Sequence, residues 1–173
     1  VEVDPELIFV NISDFSDASA SISNAAIQVN IKQVCPIPPG NFLGDYQMAQ
    51  ITPIHPDNGV LSFNDQVVNV QQATSGVNDR IISLVWLEAL GIGQPASNIP
   101  FGLVCNEVVI NSNAISTNLT CGDGTITLGR PNVNSTYDPD DDSFFELTLA
   151  EYVVDGGCGV PAPLQTTFGF TKI

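Results

Sequence analysis

The strongest constraint on this chain is a period-two alternation of apolar and polar residues that recurs along most of its length. Ile27, Val29 and Ile31 alternate with Gln28, Asn30 and Lys32, the spacing that sends successive side chains to opposite faces of an extended strand. The same pattern marks residues 6–12, 46–54, 60–63, 66–71, 80–90, 103–110, 115–120, 125–128, 144–154 and 165–172. Turn-forming clusters separate these runs, among them Pro36-Ile37-Pro38-Pro39-Gly40, Pro56-Asp57-Asn58-Gly59, Cys121-Gly122-Asp123-Gly124 and Asp155-Gly156-Gly157. Only residues 82–90 read equally well as a helix or as a buried strand. The pattern predicts an all-β fold: one β-sandwich of roughly ten strands, jelly-roll-like or Ig-like, with residues 1–173 as a single domain.

Charge narrows the function. Nineteen acids face four bases, for a formal net charge of −15. Phosphate contacts need clustered Lys and Arg, so nucleic acid and anionic membrane surfaces are excluded as partners. No apolar run approaches the ~18 residues of a membrane-spanning helix. Charged residues are only 13% of the chain, and neutral polar side chains take their place: 15 Asn, 9 Gln, 13 Ser and 11 Thr. Such a surface keeps its hydrogen bonds at any pH and suits a secreted or cell-surface protein. The sequence begins at Val1 and not Met, as expected once a signal sequence has been removed.

Cys35, Cys105, Cys121 and Cys158 show none of the short paired spacings of a zinc site. Two disulfides are the expectation, and with them an oxidising compartment. A hairpin centred on Asn113 would set Cys105 opposite Cys121, leaving Cys35 and Cys158 to close a long loop. Three sequons, at Asn11, Asn118 and Asn134, are candidate glycosylation sites.

The sharpest local motif is the acidic run containing Asp138, Asp140 and Asp142. Carboxylates at alternate positions can turn oxygens into one loop cavity, as Ca²⁺ requires. The run lacks the glycine and the terminal glutamate of an EF-hand loop, and its competing reading is a solvated acidic turn. No catalytic constellation is evident. His55 is the single histidine, and there is no G-x-S-x-G elbow or glycine-rich phosphate loop. Glu88, Glu107, Glu146 and Glu151 lie in expected strands, where glutamates usually face solvent, and Glu146 and Glu151 fall on opposite faces. The expectation is a protein that is not an enzyme. For sugar binding, Trp86 reads as core and Tyr137 as the candidate exposed platform.

Asp14-Phe15-Ser16-Asp17-Ala18-Ser19, followed by an Asn and the strand 27–31, resembles the opening of mature camelysin/TasA-type subunits. Those are secreted sandwich proteins that form extracellular fibres, and archaeal surface filaments share the general plan. The resemblance implies a head-to-tail fibre in which an N-terminal strand completes the next subunit's sheet. Here that assembly strand would lie within residues 1–12, at Leu7, Ile8, Phe9 and Val10. The four cysteines depart from the bacterial fibre proteins, which typically have none. The leading expectation is a self-associating structural subunit of an extracellular filament or surface assembly. The alternative is a carbohydrate-binding or adhesive module with glycan partners.

Overall fold

The computed structural model describes residues 35, 37–122, 124–153, 159–160 and 162–173. The backbone divides after residue 32, and every described residue lies in the second unit, Gln33–Ile173. The expected strands at 6–12 and 27–31 fall outside the described residues.

The described residues form ten antiparallel strands: β1 (Gly44–Gln50), β2 (Gln66–Gln72), β3 (Asp79–Leu84), β4 (Ser97–Val104), β5 (Glu107–Val109), β6 (Ile115–Cys121), β7 (Gly124–Gly129), β8 (Ser135–Asp138), β9 (Asp141–Glu151) and β10 (Leu164–Lys172). Among the described residues the only helical element is a 3-10 turn at Glu88–Leu90. The all-β expectation holds, but the sheet closes on itself where a β-sandwich is expected from the sequence. Each of β1 to β4 pairs with the next; β5 then pairs with β8, β8 with β9, β9 with β10, and β10 returns to β1. Eight strands therefore close into an up-and-down barrel, and the hairpin β6–β7 is an insertion between its fifth and sixth strands. Closure removes the unpaired edges that two separate sheets would leave.

The insertion shares β9 with the ring. The first part of β9 pairs with β8, through Tyr137↔Phe145, whereas its end pairs with β7, through Leu128↔Glu151 and Gly129↔Ala150. Gly129 permits the join, because a Cβ there would come within 2.7 Å of the Asn113 backbone. Asn113 Oδ1 in turn accepts a hydrogen bond from the Arg130 amide, 2.9 Å.

Alternation decides what lies inside. Phe145, Leu147 and Leu149 of β9 are buried, as are Phe168 and Phe170 of β10. Phe145 stacks on Phe170 at 4.6 Å between ring centroids and meets Tyr46 edge-on at 5.3 Å. Phe42 and Phe101 complete this aromatic cluster. The interior is filled by side chains, as in small barrels generally.

Two expected strands are broken by turns. Residues 80–90 start as β3 and stop at Leu84, and Leu87 then takes a left-handed φ of 51° ahead of the 3-10 turn. Residues 103–110 are split at Cys105 and Asn106, both with positive φ (48° and 74°), the signature of a two-residue type I′ hairpin. Val104↔Glu107 closes that hairpin. Residues 60–63 form no strand, while β8 and the first half of β4 were not expected.

Candidate functional site

A buried charge sits at each end of the barrel. Arg80 follows the inward register of Ile82 and Leu84 and is 1% exposed. Its Nε donates to the Phe42 carbonyl at 3.1 Å and its Nη2 to the Asn41 carbonyl at 2.9 Å. Its Nη1 reaches Gln72 Oε1, the Val77 carbonyl and the Asp79 carbonyl. Every one of these acceptors is neutral, so the guanidinium ties the chain before β1 to the β2–β3 turn. Burial lowers its pKa, with Tyr46 and Asp79 acting in the opposite sense. Beside it lies a cleft of about 710 Å³ with apolar walls that include Ile37, Pro38 and Val77.

Glu151 closes the opposite end and is fully buried. Its Oε2 accepts hydrogen bonds from the Trp86 indole (2.9 Å) and Asn58 Nδ2 (3.2 Å). Its Oε1 accepts from the Thr166 hydroxyl, which is also 3.0 Å from His55 Nε2. Asn58 Oδ1 takes a further bond from the Tyr152 hydroxyl at 3.0 Å. No ion pair to Glu151 forms among the described residues. Buried charges are retained when enough dipoles point at them, and three donors converge on this carboxylate. The network joins β9, β10, the 55–59 turn and the segment after β3 at one point, which identifies it as a structural lock.

Burial also holds the three phenols protonated. Tyr152 is pushed up to about 12, by burial first and then by the Glu151 and Asp57 carboxylates. Tyr46 is raised by burial with Asp142 adding to it, and burial raises Tyr137. A group whose folded pKa lies above its unfolded value stabilises the fold fully below the unfolded value, and that contribution is lost as pH rises through the folded one. Thermal stability is therefore expected to fall as pH climbs from 10 towards 12. Absorbance at 295 nm should show little tyrosinate at pH 10.5 while the protein stays folded; tyrosines titrating freely near pH 10 in the folded protein would contradict this reading.

The closed ring has one short join. β4 meets β5 only at Gly102–Val104, so the outer side of its first half, Ser97–Phe101, has no ladder partner among the described residues. β6 pairs with β7 alone. Asn118 bridges the two: its Nδ2 donates to the Pro95 and Ala96 carbonyls and to Ser97 Oγ, at 3.3–3.4 Å. Asn118 has a left-handed φ of 62° at a register shift in β6, and a bulge of this kind interrupts an edge against casual pairing.

The residues singled out from the sequence fare unevenly. Cys105 bonds to Cys35, with Cα atoms 5.0 Å apart, and not to Cys121. The expected hairpin at Asn113 does not exist, since β5 pairs with β8 and β6 with β7; the true hairpin puts Cys105 in its turn. Cys121 is disulfide-bonded as well, and Cys158 lies outside the described residues, as do Asn11 and Leu7, Ile8, Phe9 and Val10.

Asp138 and Asp141 face each other across the tight β8–β9 turn. Asp138 Oδ1 accepts the Asp140 amide at 3.0 Å, while Asp142 Oδ2 accepts the Phe42 amide and pairs with Lys172. The acidic run thus caps its own turn and anchors β10. Among the described residues no group of three or more His, Cys, Asp or Glu is placed to hold a metal ion. Asn134 is half-buried and donates to Glu107 Oε2. Trp86 is core, as expected, but Tyr137 is buried edge-on against Phe42 at 5.1 Å and offers no platform.

Sequence reading missed Arg80 and Glu151, although a signal was present. Each sits on the inward register of an otherwise apolar strand face. No helix among the described residues is long and apolar enough to cross a membrane. The chain matches no protein-family model, no curated protein and no solved structure.

Proposed function

We propose that this protein is a structural subunit of an extracellular filament or surface assembly, joined to its neighbours by β-strand addition through residues 1–12. The observation that carries the reading is that the barrel closes within residues 44–172. The strand-patterned segment with Leu7, Ile8, Phe9 and Val10 is therefore not required to complete this ring. A filled interior, a disulfide from the lead-in segment to the β4–β5 turn and a chain rich in neutral amides and hydroxyls suit a durable part outside the cell. β6 has no second ladder partner among the described residues, and strand addition there would seat beside the bulge at Asn118 and not across it.

Deleting residues 1–12 tests it. The full chain is expected to form regular fibres in negative stain and to sediment as polymer. The truncated chain should stay monomeric with an unchanged β-type circular dichroism spectrum. A full chain that remains monodisperse would overturn assembly, and a truncated chain that polymerises equally well would overturn the role of the segment.

A further inference from the structure

The outer face of β8, β9 and β10 carries a second feature. Side chains that alternate away from the core on β9 are Phe144, Glu146 and Thr148, and their cross-strand neighbours on β10 are Thr171, Gly169 and Thr167. Phe144 is 46% exposed. A Cβ at Gly169 would come within 3.1 Å of both the Phe144 ring and Ile51, so the bare glycine lets these two apolar groups lie over the strand. Next to them is a shallow cleft of about 390 Å³ lined by Asn132, Thr136, Glu146, Thr148, Gln165 and Thr167 among others.

The floor of this cleft is pre-ordered. The hydroxyls of Ser135, Thr148 and Thr167 run in a chain at 2.6 and 2.8 Å, and Gln165 Oε1 is held by the Asn132 amide at 2.8 Å. A ring face, a carboxylate, amides and hydroxyls on a rigid sheet make a surface matched to a polyhydroxylated ring. Such a ligand presents apolar C–H faces for stacking and hydroxyls for bidentate hydrogen bonds. From Phe144 to Thr148 the strand spans roughly 13 Å at about 3.3 Å per residue, longer than one hexose.

Charge restricts the class further. The cleft holds Glu146 and no base, the Asp138–Asp142 run lies at the same end as Phe144, and the chain carries −15. Anionic sugars would be repelled. We infer that this face is a binding site for a neutral oligosaccharide, with Phe144 as stacking plate and Glu146 as hydroxyl acceptor. The site is independent of the strand-addition reading.

Titration calorimetry of the full chain with cellopentaose, xylopentaose, laminaripentaose and mannopentaose tests it, with oligogalacturonate as the anionic control. At least one neutral pentasaccharide is expected to bind, and oligogalacturonate is not. Phe144→Ala should weaken binding about tenfold, the loss of one aromatic contact, and Phe144→Tyr should retain it. Both positions are surface ones, so circular dichroism should be unchanged in these variants and in Glu146→Gln, which should also weaken binding. The inference is overturned if no neutral sugar binds at millimolar concentration, if Phe144→Ala binds as well as the parent, or if that variant loses self-association and not sugar.

Discussion

Replacing Glu151 with Ala is expected to destabilise the barrel by about 3 kcal/mol or more. Truncation would leave the Trp86 indole N–H without its acceptor and take the stronger acceptor from Asn58 Nδ2 and the Thr166 hydroxyl, which keep only Ser62 Oγ and His55 Nε2; an unsatisfied buried donor costs roughly 1–3 kcal/mol. It would also leave a cavity beneath Trp86. Glu151→Gln should lose less, because its carbonyl oxygen can still accept while its amide group meets at least one donor head-on. Urea unfolding followed by Trp86 fluorescence reads both variants. A Glu151→Ala midpoint shift worth less than about 1 kcal/mol would mean that water replaces the carboxylate and that the lock is not structural.

The second large effect is expected on removing the Cys35–Cys105 bond. Its partners are 70 residues apart in sequence, and a loop of that length corresponds to about 4 kcal/mol on the chain-entropy estimate. The bond has local consequences too. It fixes Cys35 where its carbonyl accepts Asn78 Nδ2 at 2.9 Å, and so pins the lead-in segment beside the turn that Arg80 organises. The paired change Cys35→Ser and Cys105→Ser is the clean test, since reduction would also open the bond at Cys121. Thermal unfolding should fall by roughly 8–16 °C, given about 2–4 °C per kcal/mol for a chain of this size. A loss of only a few degrees would show that β4–β5 and the Arg80 contacts hold this end without the cross-link.

The two buried charges show where local reading stops. Glutamate in a strand normally faces solvent, and only counting forward from Phe145, Leu147 and Leu149 places Glu151 inside. Even then nothing nearby in sequence announces its donors, which come from residues 58, 86 and 166. Arg80 is the same case, with acceptors supplied from residues 41 and 42 as well as from its own turn. The aspartates show the converse, a local motif with two readings. Alternate carboxylates suggest a cation or a solvated acidic turn, and in the structure Asp138 caps its turn while Asp142 pairs with Lys172.

Strands, their inward faces and the residues that interrupt them are local properties of the chain, because alternation and turn chemistry act within a few residues. Partner choice was decided only in three dimensions. That β9 is shared between β8 and β7, that β10 returns to β1, and that Cys105 meets Cys35 all depend on contacts between segments tens of residues apart. An alternating strand is equally suited to any neighbour of the same register, so sandwich and barrel share one pattern. The ring closes as it does because eight strands leave an interior that the aromatic cluster around Phe145 can fill, with Arg80 and Glu151 hydrogen-bonded at its two ends.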